Sequence, residues 1–403
     1  MRLFLLTTLC CSLLACGSTA SQLSAQSGAR NELSRRDADL LVEARRATNL
    51  SEWDEALSLY DRLIERNPEN ISLLVFRASV HAYAGSDDQA INEFEAIIAR
   101  SPNYDPELYE WLGELYRRNG QYALAAERYR TYLTSIPLND ERRYRETEDL
   151  MEQMERNAQA MANPVPFDPQ PLGPAINTTA HQEYFAGLSP NGRRLVFTRN
   201  LRGNNEDFYQ STMDEHGDWQ EAAPMIAINS DMNEGAQTLS ANDQTMVFTM
   251  CNAPSGKGSC DLYISEREAG QWTRPRNIGA EINTRFWESQ PTLSADGKLL
   301  FFASNRPGGK GNRDLWGSAR KPDGSWTRPI NLGDQLNTAG NDHFPSFHPD
   351  GKTLYFTSDG HPGLGGNDLF LSRLDDNNRW GEPVNLGYPI NDIGDEKGLF
   401  VSL

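Results

Sequence analysis

Five acidic side chains recur at a nearly regular interval in the second half of the chain. Each follows the asparagine of an Ile-Asn-Thr element, or of a close variant, by five or six residues. The five are Glu183, Glu234, Glu288, Asp342 and Glu396. If the fold gathers one carboxylate from each repeat into a ring, that ring could bind a cation or the amino group of a peptide.

A structural role is the alternative for these carboxylates. Each could accept hydrogen bonds from backbone amides or from an arginine of the next repeat, for which Arg199 and Arg306 are candidates. Structural ion pairs are commoner in proteins than binding sites, so this second interpretation is favoured.

Two cysteines, Cys251 and Cys260, flank the turn segment Asn-Ala-Pro-Ser-Gly-Lys-Gly-Ser. In an exported protein, an even pair on either side of a hairpin turn predicts a disulfide. The bond would close a ten-residue loop, which contributes about 2–3 kcal/mol in the chain-entropy description. A metal site would need further Cys or His ligands, and the turn contains none, so no metal is predicted.

Two glycine-rich turns, residues 308–311 and 363–368, superficially resemble calcium-binding GGxGxD repeats. Such repeats follow a nonapeptide period, whereas these turns recur once in each long repeat. Glycine more simply supplies the positive backbone angles that a tight turn needs. The pattern therefore favours turns over a calcium site.

Motifs for catalysis are missing from the sequence. There is no GxSxG element of a serine hydrolase and no HExxH element of a zinc protease. The six histidines do not cluster. We therefore predict neither enzyme activity nor a cofactor. A hydrolase or lyase that uses the acidic ring is an alternative, because repeats can assemble a site from residues far apart in the chain.

The elements that must position these side chains form a long repeat. Its asparagine falls at Asn177, Asn229, Asn283, Asn337 and Asn391, at intervals of 52, 54, 54 and 54. The unit 279–332 contains four strand-like segments separated by turn signals such as Ala-Asp-Gly and Pro-Asp-Gly. Its second strand, Leu-Leu-Phe-Phe at 299–302, is apolar at consecutive positions, as expected of a sheet covered on both faces. Four antiparallel strands in each repeat predict a β-propeller blade.

A family resemblance lies in two of the units, LSADGKLLFFASNRPGGKGNRDLW and FHPDGKTLYFTSDGHPGLGGNDLF. They resemble the WD40-like β-propeller repeat of the TolB type, and the resemblance covers roughly residue 172 to the end. It implies that each blade runs from an innermost strand through two middle strands to an outermost strand. The five carboxylates would then start innermost strands and ring one mouth of the central channel.

The predicted propeller, residues 175–403, has four complete blades and a partial fifth. The complete blades are expected at about 173–226, 227–278, 279–332 and 333–386. For the fifth, an innermost strand is expected over 398–403 and an outermost strand from the linker 162–174, but no middle strands. We therefore expect that the chain is truncated or that the ring closes on a partner or a second copy. Related envelope proteins continue into an OmpA-like domain that this sequence does not contain.

Residues 32–161 predict a helical repeat with a capping helix at their end. Small, aromatic and proline residues recur 34 or 35 residues apart. The third unit resembles the tetratricopeptide repeat signature at Tyr109, Leu112, Gly113, Tyr116, Ala125, Tyr129 and Pro137. Small residues let paired helices approach closely and aromatic residues fill the remaining gap, so these side chains predict a core and not a site.

The N-terminus resembles that of a bacterial lipoprotein. Residues 1–15 contain an apolar stretch too short to span a bilayer and predict a signal peptide. Leu-Leu-Ala-Cys at 13–16 resembles the lipobox, which implies cleavage before Cys16 and lipid attachment to it. Residues 16–31 predict a flexible tether. Gly17 instead of aspartate favours delivery to the outer membrane by the enteric sorting rule, with the periplasmic face expected and surface exposure as the alternative.

The function predicted from these patterns is binding without chemistry. The net charge of −18 argues against nucleic acid as a partner, because phosphate binding needs basic patches. We predict a lipid-anchored scaffold whose partners are envelope proteins in outer-membrane assembly, secretion or motility. The alternative is a propeller that binds a glycan or muropeptide, which predicts exposed aromatic residues at the channel mouth, with Trp287 as the only obvious candidate.

Overall fold

A computed structural model describes residues 33–402, apart from residue 190 and residues 202–204. The predicted signal peptide, the lipid site Cys16 and the tether lie outside the described residues. The chain divides into two compact units, residues 1–152 and 153–403. Among the helices of the described part, none combines the length and apolar character that crossing a bilayer requires.

Seven helices follow one another in the described part of the chain up to residue 162. They are α1 (Arg35–Asn49), α2 (Trp53–Arg66), α3 (Ile71–Tyr83), α4 (Asp87–Arg100), α5 (Glu107–Arg118), α6 (Tyr122–Leu133) and α7 (Glu141–Ala162). Helix α1 packs on α2, α3 on α4 and α5 on α6. This arrangement confirms the predicted helical repeat.

The repeated small and aromatic residues form the core of these helix pairs. One alanine in each pair is fully buried, and the aromatic residue four positions later is fully or almost fully buried as well. These residues are Ala56 with Tyr60, Ala90 with Phe94, and Ala125 with Tyr129. A Cβ atom on Gly113 would lie 2.7 Å from the Tyr129 ring, so only glycine fits this close approach. Gly85 and Gly120 adopt left-handed φ angles of +77° and +69° after the first helix of the second and third pairs.

The second unit contains four antiparallel sheets, which confirms the four predicted blades. Blade 1 comprises β1 (Gln182–Leu188), β2 (Arg194–Leu201), β3 (Asn205–Thr212) and β4 (Ala223–Pro224). Blade 2 comprises β5 (Asn233–Leu239), β6 (Thr245–Cys251), β7 (Cys260–Glu268), β8 (Gln271–Trp272) and β9 (Arg276–Asn277). Blade 3 comprises β10 (Glu288–Leu293), β11 (Leu299–Ser304), β12 (Asp314–Ala319) and β13 (Ile330–Asn331). Blade 4 comprises β14 (Asp342–Phe347), β15 (Thr353–Ser358), β16 (Asp368–Arg373) and β17 (Val384–Asn385).

The core of the propeller lies between neighbouring blades. Each second strand carries a phenylalanine that is fully or almost fully buried: Phe197, Phe248, Phe302 and Phe356. Val247 and Leu262 of blade 2 share one apolar cluster with Leu300 and Phe302 of blade 3. The consecutive apolar residues of the second strands are therefore covered on both faces, as the sequence predicts.

The outermost strands are shorter than predicted. The fourth strand of the unit 279–332 consists of only Ile330–Asn331, with Trp326 forming a separate bridge to Arg320. Pro329 lies between the two pairings, and proline has no N–H to donate to a sheet. Pro275 and Pro383 interrupt the equivalent segments of blades 2 and 4 for the same reason.

The two strands predicted for a fifth blade are not formed as strands. Residues 398–402 and linker residues 163–173 have no regular secondary structure. A strand needs a hydrogen-bonded neighbour, and the described residues supply no middle strands between these two segments. The complete blades are confirmed, whereas the predicted strands of the partial blade are wrong.

Candidate functional site

Three of the five repeated carboxylates, Glu234, Glu288 and Asp342, lie buried at the start of an innermost strand, and Glu183 is half-buried at the same place in its blade. Glu288 shows the arrangement: it accepts hydrogen bonds from the Thr284 backbone N–H at 2.8 Å and from the Thr284 hydroxyl at 2.6 Å. The Ser304 hydroxyl donates to it from the neighbouring strand at 3.1 Å. The carboxylate therefore holds together the turn between the repeat asparagine, Asn283, and the innermost strand β10 that follows it.

Two arginines pair with these carboxylates, but within the same blade. Arg199 donates to Glu183 at 3.0 Å, and Arg306 lies 3.1 Å from Glu288. The prediction of an arginine from the next repeat is therefore wrong. The reason is register: β1 and β2 are antiparallel, which places Arg199 directly opposite Glu183.

Blade 4 uses a histidine where blade 3 uses Arg306. The His361 ring nitrogen lies 3.0 Å from the Leu336 carbonyl oxygen, as the Arg306 guanidinium contacts the Ile282 carbonyl oxygen at 2.6 Å. The Ser358 hydroxyl donates to Asp342 at 2.6 Å. Burial raises the pKa of Asp342, although these donors and the nearby histidine oppose the shift.

Blade 2 has neither partner for its carboxylate. Met250 lies opposite Glu234 in the register, where blades 3 and 4 have serine. The Ser230 hydroxyl donates to Oε1, while Oε2 has no hydrogen-bond partner among the described residues. Because Glu234 is fully buried, desolvation raises its pKa to about 7.

The five carboxylates are not part of the wall of the cavity between the innermost strands. Glu396 is half-buried and accepts a hydrogen bond from the Asp392 N–H at 3.3 Å, and burial raises its pKa to about 7. None of the five acidic residues is among those that border the channel cavity. The structure brings them to equivalent places in successive units but binds each to its own turn, which favours the structural interpretation.

The channel itself contains a cavity of about 470 Å³. Its wall is formed by the innermost strands β1, β5, β10 and β14 and by residues 398–402, and no described residue of this wall carries a charged side chain. Phe185 and Phe344 meet across it with ring centroids 5.1 Å apart. The described wall therefore consists of apolar rings, prolines and amides, which suit an uncharged ligand. These groups provide no acid or base for proton transfer.

A left-handed residue interrupts every innermost strand. Phe185, Ala236, Gln290 and Phe344 have φ angles of 52°, 49°, 58° and 49°. Each lies at a β-bulge, where the register with the second strand shifts by one residue. A positive φ is strained for a residue with a side chain, so four repetitions indicate a geometry imposed by the ring.

Amide side chains link the innermost strands of neighbouring blades. Gln237 Nε2 donates to the carbonyl oxygens of Phe185 at 3.0 Å and Val196 at 2.8 Å. The Phe344 N–H donates to Gln290 Oε1 at 3.0 Å. These bonds satisfy backbone groups that the bulges leave unpaired and hold the wall of the cavity together.

The repeat asparagine joins each blade to the start of the next unit, a role that spacing alone did not predict. Asn283 Oδ1 accepts from the Leu262 N–H and its Nδ2 donates to the Leu262 carbonyl, both at 2.8 Å. Asn337 forms the same pair with Leu315 at 2.7 and 3.1 Å. The side-chain amide thus replaces a peptide group of an adjacent strand. The signal in the sequence was the residue type, since asparagine carries one donor group and one acceptor as a peptide does.

The predicted disulfide is formed. Cys251 and Cys260 are bonded and lie directly opposite each other on β6 and β7. Trp287, the aromatic residue named for glycan binding, does not border the cavity; the Arg313 guanidinium lies 4.6 Å from its ring centroid. The aromatic residues of the wall are phenylalanines, which no motif or spacing in the sequence singled out.

The glycine-rich turns surround an aspartate. Asp314 accepts from the N–H groups of Lys310 at 2.9 Å and Gly311 at 3.1 Å. A Cβ atom on Gly309 would lie 1.6 Å from the Asp314 carboxylate, so the turn requires glycine there. The part of the chain that the structure describes contains no group of three Asp, Glu, His or Cys side chains able to hold a metal.

Comparison with known proteins identifies the helical part of the chain. The family described as "Tetratricopeptide repeat" matches residues 41–105 and 77–140. A search of curated proteins finds no match.

Solved structures similar to this chain include both of its folds. TolB from Acinetobacter baumannii is 14% identical with a TM-score of 0.37, and the match covers 53% of this chain and 45% of TolB. The TPR2B domain of yeast Sti1, solved with an Hsp70 peptide, is 24% identical with a TM-score of 0.27 and coverage of 30% and 98%. An α-L-arabinofuranosidase from Lactobacillus brevis is 14% identical with a TM-score of 0.36 and coverage of 52% and 77%. The chain spans less than half of TolB, and none of these similarities assigns it a function.

Proposed function

We propose that this chain is a non-enzymatic scaffold that binds proteins in the bacterial envelope. The observation that supports the proposal most directly is the set of three helix pairs, because the tetratricopeptide repeat family matches residues 41–140 of this region. Stacked helix pairs form an extended concave surface suited to peptides and helices. The propeller adds a second surface built from several blades.

The proposed location is the outer membrane. The lipobox-like sequence at 13–16 supports a lipid on Cys16, and Gly17 supports delivery to the outer membrane. Partners in outer-membrane assembly, secretion or motility are proposed on the same basis. The periplasmic face is proposed for the two folded units.

The binding role without catalysis is supported by the chemistry of the channel. A hydrolase needs a nucleophile or a general acid and base near its substrate. Among the residues that the structure describes, the cavity wall contains no acidic, basic or histidine side chain. The similarity to an arabinofuranosidase concerns the fold, so it does not favour a glycosidase activity.

The first helices of the pairs offer the surface for a partner. Phe76 and Trp111 occupy equivalent positions in α3 and α5 and pack on the aromatic residue of the preceding pair, with centroids 6.0 Å from Tyr60 and 5.8 Å from Phe94. Val42 occupies this position in α1 and is 68% exposed. One turn further on, Arg45 is exposed and lies over the Phe76 ring. An apolar side chain beside an exposed cation is typical of a protein-binding surface.

A photo-crosslinking amino acid at position 45 of the full chain tests the proposal. We expect crosslinks to one or a few envelope proteins in cells, because α1 faces the partner. The matched control places the same amino acid at Arg62, an exposed arginine on the second helix of the same pair. Equal crosslinking from both positions, or none from position 45, would overturn the proposed binding role of this surface.

A further inference from the structure

The turn before the innermost strand of blade 3 carries three large side chains that the equivalent turns lack. Residues 285–287 are Arg-Phe-Trp, whereas the same places hold Asp-Met-Asn at 231–233 in blade 2 and Ala-Gly-Asn at 339–341 in blade 4. The repeat therefore provides its own comparison for what this turn needs and what it does not need.

The backbone of the turn does not depend on these side chains. In blade 3 the Phe286 N–H donates to the Thr284 hydroxyl at 3.1 Å. The corresponding bonds in blades 2 and 4 are also 3.1 Å long, with methionine and glycine in the place of the phenylalanine. Three unlike residues thus make the same bond in the same turn, so the turn itself does not require Arg-Phe-Trp.

Two exposed arginines lie over the half-buried rings of this turn. The Arg285 guanidinium is 5.1 Å from the centroid of the Phe286 ring, and the Arg313 guanidinium is 4.6 Å from the centroid of the Trp287 ring. In the part of the chain that the structure describes, neither arginine has a carboxylate within ion-pair distance. We call these four residues the arginine–aromatic surface.

The arginine–aromatic surface is held in place from both sides. The Trp287 N–H donates to Asn305 Oδ1 at 2.9 Å in its own blade, and Trp287 forms a bridge to Cys260 of blade 2. A disulfide closes the hairpin that contains Cys260. In the same hairpin, a Cβ atom on Gly258 would lie 1.7 Å from the Phe286 carbonyl oxygen. A turn fixed in this way loses little conformational freedom when it binds a partner.

The arginines determine the kind of group that can bind. A guanidinium has five N–H donors and no acceptor, and its planar fork matches the two oxygens of a carboxylate. Contact with an aromatic ring keeps these donors in a defined place. Arg313 already lies over the Trp287 ring, where a sugar would stack. A carboxylate is therefore favoured over a glycan.

The charge of the chain favours an acidic protein segment as the partner. The sequence has 56 acidic and 38 basic residues, so the chain as a whole repels a carboxylate. Two arginines without a carboxylate of their own form a local exception, which gives such a segment a specific place to dock. Arginine, tryptophan and phenylalanine are also residue types that are enriched in protein interfaces.

We propose that the arginine–aromatic surface binds an acidic, partly apolar segment of a partner protein. Asp or Glu carboxylates of this segment bond to Arg285 and Arg313, and its apolar side chains pack on the exposed parts of the two rings. The inference rests on the proposed protein-binding function and names the chemistry of a partner. It concerns the propeller, whereas the surface at position 45 belongs to the helices.

Peptide selection on the full chain tests this inference. The probe is a library of random heptapeptides displayed on phage, and we expect the selected peptides to be enriched in Asp and Glu beside apolar residues. A fluorescein-labelled peptide of the commonest selected sequence then gives the affinity by fluorescence anisotropy. The same peptide with Gln for Glu and Asn for Asp should bind at least about tenfold more weakly, because the charge-assisted bonds to the arginines are lost.

The turn of blade 4 provides a replacement sequence for the variant protein. Arg285→Ala, Phe286→Gly and Trp287→Asn together place Ala-Gly-Asn in blade 3, and that sequence makes the same backbone bond in blade 4. We expect this loop variant to fold, which circular dichroism checks, and to bind the selected peptide at least about tenfold more weakly. Arg313→Gln leaves the turn unchanged and should weaken binding at least about threefold. It decides the question by itself if the loop variant is unfolded.

Arg328→Gln is the matched control. Among the described residues Arg328 is exposed without an ion pair, as Arg285 is, but it lies over no aromatic ring. We expect this variant to bind the selected peptide as the unchanged protein does. Selected peptides without acidic residues would overturn the inference, and so would equal affinities of Arg313→Gln and Arg328→Gln.

Two further probes distinguish other partners of the same surface. They are vesicles that contain phosphatidylglycerol and a soluble peptidoglycan fragment, each tested with the unchanged protein and with the loop variant. Binding of either probe that the loop variant loses, with no acidic peptide selected, would overturn the inference in favour of a lipid or a glycan. Crosslinking from position 45 is independent of all these outcomes, so failure here is distinguishable from failure of the scaffold proposal.

Discussion

At the scale of residues, the same acidic position has different partners in different blades. Glu288 is buried with the Arg306 guanidinium, a serine and a threonine as donors. Glu234 is equally buried, but Met250 replaces the serine and no cation replaces the arginine among the described residues. Its charge is therefore not compensated, and the nearby Asp207 and Asp231 add to the rise in its pKa.

Glu234→Gln should stabilise the protein at alkaline pH. The pKa is about 7 in the folded state against 4.5 in the reference state, so the folded state binds the proton more tightly. Stability contributed by this group therefore falls as pH rises from about 5 to 7 and stays low above that. We expect Glu234→Gln to raise the free energy of unfolding at pH 8 by about 1–3 kcal/mol and to change it little at pH 5.

Glu288→Gln provides the contrast for that measurement. It removes the charge that the buried Arg306 contacts at 3.1 Å, so we expect destabilisation by about 2–4 kcal/mol at both pH values. Urea unfolding at pH 5 and pH 8 compares the two variants. If Glu234→Gln destabilises at pH 8 as Glu288→Gln does, the account of an uncompensated carboxylate is wrong.

At the scale of elements, asparagine side-chain amides form hydrogen bonds between units of the kind that backbone groups form within a sheet. Each repeat asparagine from Asn229 to Asn391 bonds to both backbone groups of one residue on a third strand. Close backbone approach helps at the same seam: a Cβ atom on Gly311 would lie 2.1 Å from the Gly340 carbonyl oxygen. The ring is therefore held by apolar packing between blades and by these polar links at one end of each blade.

Asn337→Ala should destabilise the propeller by about 1–3 kcal/mol, because it leaves the buried N–H of Leu315 without its acceptor. The Leu315 carbonyl loses one of two donors and keeps the Leu332 N–H at 3.0 Å. Asn177→Ala is the control: Asn177 is exposed, and its side chain accepts a hydrogen bond from the exposed Leu172 N–H at 2.9 Å. We expect that variant to lose less than about 1 kcal/mol. Equal losses of unfolding free energy in the two variants would contradict the assigned role.

At the scale of the whole molecule, the chain combines two units with separate cores. The helical core is built from side chains such as Leu40, Leu59 and Leu73, and the propeller core from those between blades. Both folds present surfaces suited to proteins, and the net charge of −18 is the reason that nucleic acid is not expected as a partner. The lipid proposed at Cys16 would hold both units at a membrane.

Cys16→Ala should release the protein from the membrane. A lipid on this residue is the proposed anchor, and acyl chains contribute about 0.8 kcal/mol for each buried CH₂ group. We expect the unchanged protein in the membrane fraction, labelled by palmitate, and the variant unlabelled in the soluble fraction. Cys10→Ala, within the predicted signal peptide, is the control and should leave anchoring intact. Membrane retention of unlabelled Cys16→Ala would refute the lipid proposal.

The sequence by itself predicted the four complete blades and the presence of helix pairs. A period near 54 residues with an asparagine in each unit, and alanines 34 or 35 residues apart, are local patterns that can be counted. It also predicted the disulfide, because only two cysteines flank one turn. Short apolar runs were enough to predict the second strands, because neighbouring blades cover both faces of each of these strands.

Only the tertiary structure decided what surrounds each functional side chain. The partners of Glu288 include Ser304, 16 residues away, and the channel wall draws on every innermost strand. The left-handed bulges of the innermost strands likewise depend on neighbouring blades. Period and composition are properties of consecutive residues, whereas burial and hydrogen-bond partners arise when distant strands meet. Equivalent positions in a repeat can therefore be found by counting, but their chemistry depends on what the fold places opposite them.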